Sequence, residues 1–452
     1  YILTMAPTTS FWDCGEFIAT SFILGVPHPP GSPLYLLLGN VFSSIPVFED
    51  IGARVNLISP LVSALSVMFL YIIIVYLIEQ YRGKDKDFVS VLIIYFSAFT
   101  AAITFAFTDA QWFNAVESEV YALSTFFTSI VVWMILKWNR NADTDWNIRY
   151  LLIIIYMFGL AIGIHLLNLL TLPFVALIIY FKKFKFSVIS FLMTIFTTIA
   201  VFLIIYIGII KGIPDITTKF GNLSFIFILV FTIISSIILL QVTLLTEKYK
   251  SYAYLLSGIS FTLIILLVSN SLFIKDSETI SIHKQTKIID IQDKIDIYDK
   301  EIYKLNNSVN SNQLRQDRNL QNKINNKISD RNNFVDEFRT LYDDYFNFEK
   351  IKGNLSFSQL IKYQPKTNIL IISILFITFL ILFYRYGKLN NEKNKNLYQF
   401  IFCSILLILI GYSTYTTIFI RAGQHPNINE NNPDNIKSAL AYMNRDQYGD
   451  WE

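Results

Sequence analysis

Two short segments carry the residue types that do chemistry. Ser10-Phe-Trp-Asp-Cys-Gly-Glu-Phe17 supplies Asp13 and Glu16, and Gly25-Val-Pro-His-Pro-Pro-Gly-Ser-Pro33 supplies His28. Acids three apart on a helix share a face, so Asp13 and Glu16 can act together. An ionised carboxylate within reach of a hydroxyl can take its proton as general base, and a second acid can orient it. A plainer reading stands beside this one: Ser10 caps a helix that starts there, and Asp13 closes a capping box. The prolines and glycines around His28 exclude regular helix or sheet. That segment is a stiff loop fixing the imidazole, or an ordinary connector.

Further candidates follow along the chain. Asp109-Ala-Gln-Trp-Phe-Asn-Ala-Val-Glu-Ser-Glu-Val-Tyr121 adds Asp109, Glu117 and Glu119 with no Lys or Arg among them. Their partner must lie elsewhere: a metal ion, an arginine or a polar substrate. Trp112 and Tyr121 fit an interfacial aromatic belt. His165, with Asn168 one turn on, is either a satisfied polar group or part of a polar cavity. Arg421 either snorkels or binds a phosphate with its planar fork. After it, the Asn-rich run with His425, Asn429, Glu430 and Asn431 offers amides and acceptors suited to sugar hydroxyls.

These residues sit in an unusually apolar chain. Of 452 residues, 53% are hydrophobic and only 16% charged, against about a quarter charged in soluble domains. Mean hydropathy is +0.46. The apolar residues fall in runs: Leu57–Ile78, Phe88–Phe107, Tyr121–Trp138, Val188–Ile210, Phe225–Leu245, Tyr252–Ile274, Ile369–Tyr386 and Leu397–Ile420. Each approaches the roughly 20 residues a helix needs to cross a bilayer. The pattern predicts an all-α polytopic membrane protein and excludes a barrel, since alternation is absent. Net charge of +3 gives no reason to expect nucleic acid, and Cys14 and Cys403 make neither a metal spacing nor a disulfide framework.

Lys and Arg mark the inner loops: Arg82–Asp87, Asn139–Arg149, Lys182–Lys185, Glu247–Lys250 and Lys388–Lys395. Two crossings must then fit between Arg149 and Lys182, turning near Gly163-Ile-His165. Parity places every chemical segment outside, with about ten spans in all. Gly15–Leu24 and Leu34–Pro46 are too short to cross and read as helices on the outer surface. The predicted divisions are a membrane core over 1–274 with its first outer loop at 8–54, an outer helical hairpin at 275–366, further spans at 367–421, and the start of a truncated outer region at 422–452. In the hairpin, Ile288, Ile291, Ile295, Tyr298, Ile302 and Leu305 repeat at steps of three and four. Ile324, Ile328, Val335, Phe338, Tyr342 and Tyr345 form a second stripe, and a turn is expected at Asn306–Asn312. The arm is a solvated element or a dock for a protein partner.

Phe-Trp-Asp-Cys-Gly-Glu-Phe, Gly-Val-Pro-His-Pro-Pro-Gly-Ser-Pro-Leu, Ala-Val-Glu-Ser-Glu-Val-Tyr-Ala-Leu, Gly-Ile-His-Leu-Leu-Asn-Leu-Leu, Glu-Asn-Asn-Pro-Asp-Asn and Asn-Arg-Asp-Gln-Tyr-Gly-Asp-Trp occur in this order. Together they resemble a bacterial multipass membrane family related to an animal protein O-mannosyltransferase that acts on plexin-type domains. The resemblance implies a GT-C glycosyltransferase, a polyprenyl-phosphate-linked sugar donor, and an active face toward the periplasm from the inner membrane. It also implies an essential acid near the end of the first span, where Asp13 stands, and a second acid matched by Glu117 or Glu119. The expected acceptor is a Ser or Thr hydroxyl of an exported protein. Whether a divalent ion assists stays open. A flippase for lipid-linked saccharide and an envelope scaffold are the rival readings.

Overall fold

A computed structural model describes residues 1–82, 87–144, 147–220, 222–244, 258–260, 262–268, 274–275, 277–307, 318–352, 359, 362–364, 368–374, 377–378, 381 and 392–449. In chain order the helices are α1 (Cys14–Ile23), α2 (Pro33–Ser43), α3 (Ile51–Asn56), α4 (Ile58–Arg82), α5 (Phe88–Ala106), α6 (Asp109–Ala115), α7 (Val120–Asn141), α8 (Ile148–Ile162), α9 (Leu172–Lys183), α10 (Val188–Leu203), α11 (Gly212–Phe220), α12 (Asn222–Leu244), α13 (Ser277–Asn307), α14 (Arg318–Ile351), α15 (Glu392–Tyr412), α16 (Thr416–Ala422) and α17 (Ile436–Asn444). Among the described residues there is no named strand; one isolated parallel bridge pairs Val26 with Asn429. The chain forms two compact units, Tyr1–Ser271 with Phe376–Glu452, and Leu272–Leu375.

The first unit is an all-α polytopic membrane body. Six stretches among the described residues are long and apolar enough to cross a bilayer: Ile51–Tyr81, Phe88–Ala106, Val120–Asn141, Leu166–Lys183, Val188–Thr217 and Gln399–Ala422. Shorter apolar helices include Ile148–Ile162, Ile226–Ile238 and Gly258–Val268. The expected hairpin between Arg149 and Lys182 is present as α8 and α9, with Gly163 ending the first arm. A π-helical stretch at Ile204–Lys211 interrupts the Val188–Thr217 span. About half of each of the expected spans Tyr252–Ile274 and Ile369–Tyr386, the Glu247–Lys250 loop and most of the Asn306–Asn312 turn lie outside the described residues.

Lipid tails are as apolar as leucine, so helices in a bilayer associate through close packing rather than exclusion from water. The α8–α15 pair shows this. A Cβ on Gly411 would lie 2.3 Å from the backbone carbon of Gly159, and one on Gly159 would lie 2.9 Å from Leu407 O. Glycine at both positions lets the two backbones touch. A second buried cluster joins Phe17, Val26, Tyr35, Ile58, Val120, Ile418 and Tyr442. It binds the first loop, the second loop and the C-terminal segments into one body, which is what positions the site.

The second unit is an antiparallel helical pair. Ser281 bonds Glu349, Lys284 pairs with Asp344, Lys327 with Glu301, and Arg331 Nε with Asp299 at 3.0 Å. Ile291, Ile295 and Ile324 of the expected stripes are buried, whereas Ile328 and Tyr342 are exposed. The α14 stripe is therefore corrected: Lys327 and Arg331 hold the seam-side positions through their cross-helix pairs, turning Ile328 outward. Phe348 replaces Tyr342 among the buried positions.

Candidate functional site

Helix α1 begins at Cys14, three residues later than a Ser10 cap requires, so the capping-box expectation is corrected. Asp13 is the N-cap, and its side chain makes no capping bond. Trp12 takes a positive φ of 54°, and Cys14 N donates to Phe11 O, so a tight turn precedes the helix. The Asp13 carboxylate, just over half exposed, is left free of the backbone. Glu16 lies in the first turn, where a negative charge suits the helix dipole.

Glu16 clamps His28 twice. Its Oε2 lies 2.6 Å from His28 Nδ1, and its Oε1 accepts from the His28 backbone N–H at 2.7 Å. Fixing one ring nitrogen in this way orients the other. His28 Nε2 lies 3.9 Å from Asp13 Oδ2. The hydrogen bond that the His28 ring donates to Glu16 raises the His28 pKa above its ordinary value; burial and Arg445 oppose this, while the Glu16 and Asp13 charges add to it. Donor atoms of Asp13, Glu16 and His28 all lie within 4.8 Å of one another. One imidazole and two carboxylates form an acceptable set for a divalent cation. The Glu16 clamp occupies Nδ1, so Nε2 and Asp13 are the open donors.

The Pro-rich loop is held from several sides. Gly31 has a φ of 76°, a conformation that favours glycine, and a Cβ there would meet the Tyr442 hydroxyl at 2.6 Å. Tyr442 Oη donates to Pro27 O at 2.7 Å. Ser32 Oγ donates to Ile164 O at 3.0 Å, and Leu34 N to Gly163 O at 2.9 Å. Val26 N donates to Ile428 O and Glu430 N to Val26 O, joining the loop to the segment after α16.

The second loop arrives beside Asp13. Glu119 stands at the N-cap position of α7 without a side-chain capping bond and is buried. Burial, then the charge of Asp13 and that of Glu117, push its pKa up to about 7, with backbone N–H groups of Asp13 and Val120 opposing. Glu117 is 1% exposed, and neither carboxyl oxygen has a hydrogen-bond partner among the described residues. Ser118 between them donates to Asn56 Oδ1 at 2.6 Å, and Asn56 Nδ2 reaches Ala6 O and Thr8 O at 2.8 Å each. Asn56 thus ties the N-terminal segment, α3 and the second loop together.

Other expected residues are placed differently. Asp109 is the exposed first residue of α6. Trp112 Nε1 donates to Thr4 Oγ1 at 3.1 Å and its ring packs on Tyr1. His165 caps the short 3-10 helix Leu166–Thr171, its Nδ1 accepting from Leu167 N at 3.3 Å, and its ring lies 5.4 Å from Tyr121. Burial and then Arg445 lower its pKa.

Arg421 is not brought to the acids. Its Nε and Nη2 donate to Leu24 O and Ile23 O at 2.7 and 2.9 Å, and Nη1 bonds Gln424. It therefore caps the C-terminal end of α1, about 15 Å along the helix from Asp13. Asn429 Nδ2 bonds Ala422 O, and Asn431 bonds Gln447, so these amides serve the loop itself. His425 and Asn431 take positive φ, and Glu430 is exposed.

Arg445 opposes protonation of both His28 and His165. It caps α17 with a φ of 64°, is exposed, and stacks on Tyr448 at 4.9 Å. Nothing in its spacing singles it out within Asn444–Gly449; only the fold carries it to the Pro-rich loop.

Residues 13–188 match the model for the protein O-mannosyl-transferase TMEM260 N-terminal domain. A Dictyostelium discoideum protein O-mannosyl-transferase tmem260 is 25% identical over 190 residues, 38% of this chain and 21% of the relative. The Mus musculus protein O-mannosyl-transferase TMEM260 is 26% identical over 140 residues, 31% of this chain and 18% of the relative. The matched stretch thus covers about a fifth of each curated relative. No solved structure matches. The matched stretch contains Asp13, Glu16, His28, Glu117, Glu119 and His165, and through it the chain is related to animal protein O-mannosyltransferases.

Proposed function

We propose that this chain transfers a hexose, mannose by analogy with the named relatives, from a polyprenyl-phosphate donor to a Ser or Thr hydroxyl of an exported protein. The fold would be of the GT-C type, with the reaction at the non-cytoplasmic membrane surface. The observation that carries this reading is the free carboxylate of Asp13 beside a His28 ring clamped by Glu16.

In the reaction the acceptor oxygen attacks the anomeric carbon while the bond from that carbon to the phosphate oxygen breaks. Asp13 takes the hydroxyl proton, and polyprenyl phosphate leaves with the bonding electron pair. Attack from the face opposite the leaving group inverts the anomeric centre. Glu16 holds the His28 ring so that its Nε2 faces the Asp13 carboxylate at 3.9 Å, and the base must lie within hydrogen-bond reach of the hydroxyl it deprotonates. Arg445 is the cation on the His28 side and meets the charge growing on the departing phosphate. His165 lines the approach of sugar and acceptor, while Glu119, buried like Glu117, acts through its charge coupling to Asp13.

The test gives membranes carrying the protein a labelled polyprenyl-phosphate hexose and a Ser/Thr-containing peptide. Label is expected on the peptide and is released by mild alkaline elimination. A nucleotide sugar serving in place of the lipid donor would overturn the donor class. Movement of the lipid donor across the bilayer with no covalent product would establish transport instead.

A further inference from the structure

A recess between α4 and α7 lies at the far end of α7 from Glu119. It encloses about 130 Å³, well below the roughly 300–1,000 Å³ of a drug-sized ligand site. Tyr76 and Glu79 of α4 and Trp133, Lys137 and Arg140 of α7 line it, and the rest of the lining is aliphatic. On each helix these residues stand three or four apart, so each set shares one face. Both helices belong to candidate spans, Ile51–Tyr81 and Val120–Asn141. Glu79 is three residues from the end of α4 at Arg82, and Arg140 is one from the end of α7 at Asn141. The recess therefore opens where the two spans reach the surface that carries the basic loops.

Its polar groups are not spent on one another. Among the described residues no ion pair joins Glu79 to Lys137 or Arg140, although all three line the recess. Lys137 Nζ lies over the Trp133 ring, 5.3 Å from its centre. The Tyr76 hydroxyl is buried and has no hydrogen-bond partner among the described residues. Glu79 and Lys137 are half-buried, and Arg140 is exposed. Charges at the edge of the hydrocarbon are costly unless paired, so this arrangement calls for a ligand with charge of both signs. A phosphate suits the two cations and the hydroxyl. An ammonium suits Glu79, and the carbonyl ends of two helices favour a cation there.

We propose that this recess binds the headgroup of a phospholipid bearing a primary amine, with the phosphate on Lys137, Arg140 and Tyr76 and the ammonium on Glu79. The acid decides the class. Basic pockets between spans attract anionic headgroups, but a purely anionic lipid would set its phosphate beside the Glu79 carboxylate with nothing to neutralise it. A choline headgroup carries the positive charge without an N–H to donate. An ethanolamine headgroup brings three such donors and a phosphate together, and its acyl chains continue along the apolar outer faces of α4 and α7.

The experiment mixes the protein, purified in detergent, with equal amounts of phosphatidylethanolamine, phosphatidylcholine and phosphatidylglycerol of matched acyl chains. Native mass spectrometry then counts the lipids retained. One phosphatidylethanolamine is expected, favoured over each of the others about threefold or more, the effect of a partly exposed ion pair. Glu79→Gln should remove the preference over phosphatidylcholine. Lys137→Gln combined with Arg140→Gln should lower retention of phosphatidylethanolamine itself by a similar factor. Free phosphoethanolamine at the lipid concentration should leave the bound lipid in place. Equal retention of the three lipids, preference for phosphatidylglycerol, or a preference unchanged in a folded Glu79→Gln protein would overturn the site. Displacement by free phosphoethanolamine would identify a soluble ligand and overturn the lipid. If the variants do not fold, the order of the three lipids on the unsubstituted protein decides the matter. Retention is read without a sugar donor, so its outcome is independent of the activity proposed above.

Discussion

At the scale of residues, Glu16 is the organising group. Both of its carboxylate oxygens go to one residue, so ring and backbone of His28 are fixed together. Glu16→Gln removes the largest cause of the raised His28 pKa, leaving burial to depress it. The His28 resonance should then titrate below that of the unsubstituted protein, and NMR of labelled histidine is tractable with four histidines in the chain. The linked stability has a definite sign. A histidine whose pKa is raised by folding adds stability that is fully present below about pH 6.5 and is lost as pH rises through the folded value. The difference in melting temperature between the parent and Glu16→Gln should shrink in that direction. An unmoved His28 titration would show that Glu16 does not hold it. Glu119 runs the other way in charge: its carboxyl, held up to about 7, retains a proton where an exposed one would lose it. Asp13, Glu16 and His28 were legible in the sequence because acids and a Pro-caged histidine stand out in apolar surroundings. Arg445 was not, because an arginine in a polar segment has no distinguishing neighbour until α17 places it.

At the scale of elements, glycine decides how closely helices and loops approach. A Cβ at Gly411 runs into the Gly159 backbone at 2.3 Å, which no side-chain rotation relieves. Gly411→Val should lower the melting temperature in detergent, with a cost of at least about 1–3 kcal/mol for overpacking. Gly423→Ala serves as control, since its nearest neighbours would lie 3.7 Å away and its φ is −66°. Equal melting of the two variants would contradict direct backbone contact between α8 and α15. The existence of most helices followed from apolar runs, but their junctions did not. Helix α1 begins at Cys14, with Asp13 rather than Ser10 as its N-cap, because Trp12 turns left-handed just before it. Similarly, Lys327 and Arg331 displace Ile328 from the α14 seam because their charges pair across it. Hydrophobic periodicity alone does not register such cross-helix pairs.

At the scale of the whole membrane unit, chemistry and basic loops are separated by the length of a span. Helix α7 carries Glu119 at its N-cap and leads, 22 residues later, to the loop where Asp143 pairs with Lys182 at 3.0 Å and Lys183 at 3.6 Å. Twenty-two helical residues extend about 33 Å, close to the roughly 30 Å of a hydrocarbon core. This spacing supports the proposal that the acids work at the surface opposite the lysines. The first loop, the second loop, the turn at Gly163–Ile164 and the C-terminal segment meet at the acidic end through Asn56, Ser32 and Tyr442. Loop charge made that convergence foreseeable in outline. It could not indicate that Arg421 would be absorbed in capping α1, since a phosphate-binding arginine and a helix-capping one have the same sequence appearance.

The most direct test of the central claim, that Asp13 is the base for sugar transfer, is Asp13→Asn assayed with polyprenyl-phosphate mannose in reconstituted vesicles. The turnover number should fall about 10²–10⁴-fold, with the donor KM and the melting temperature unchanged. Undiminished turnover in the substituted protein would contradict it.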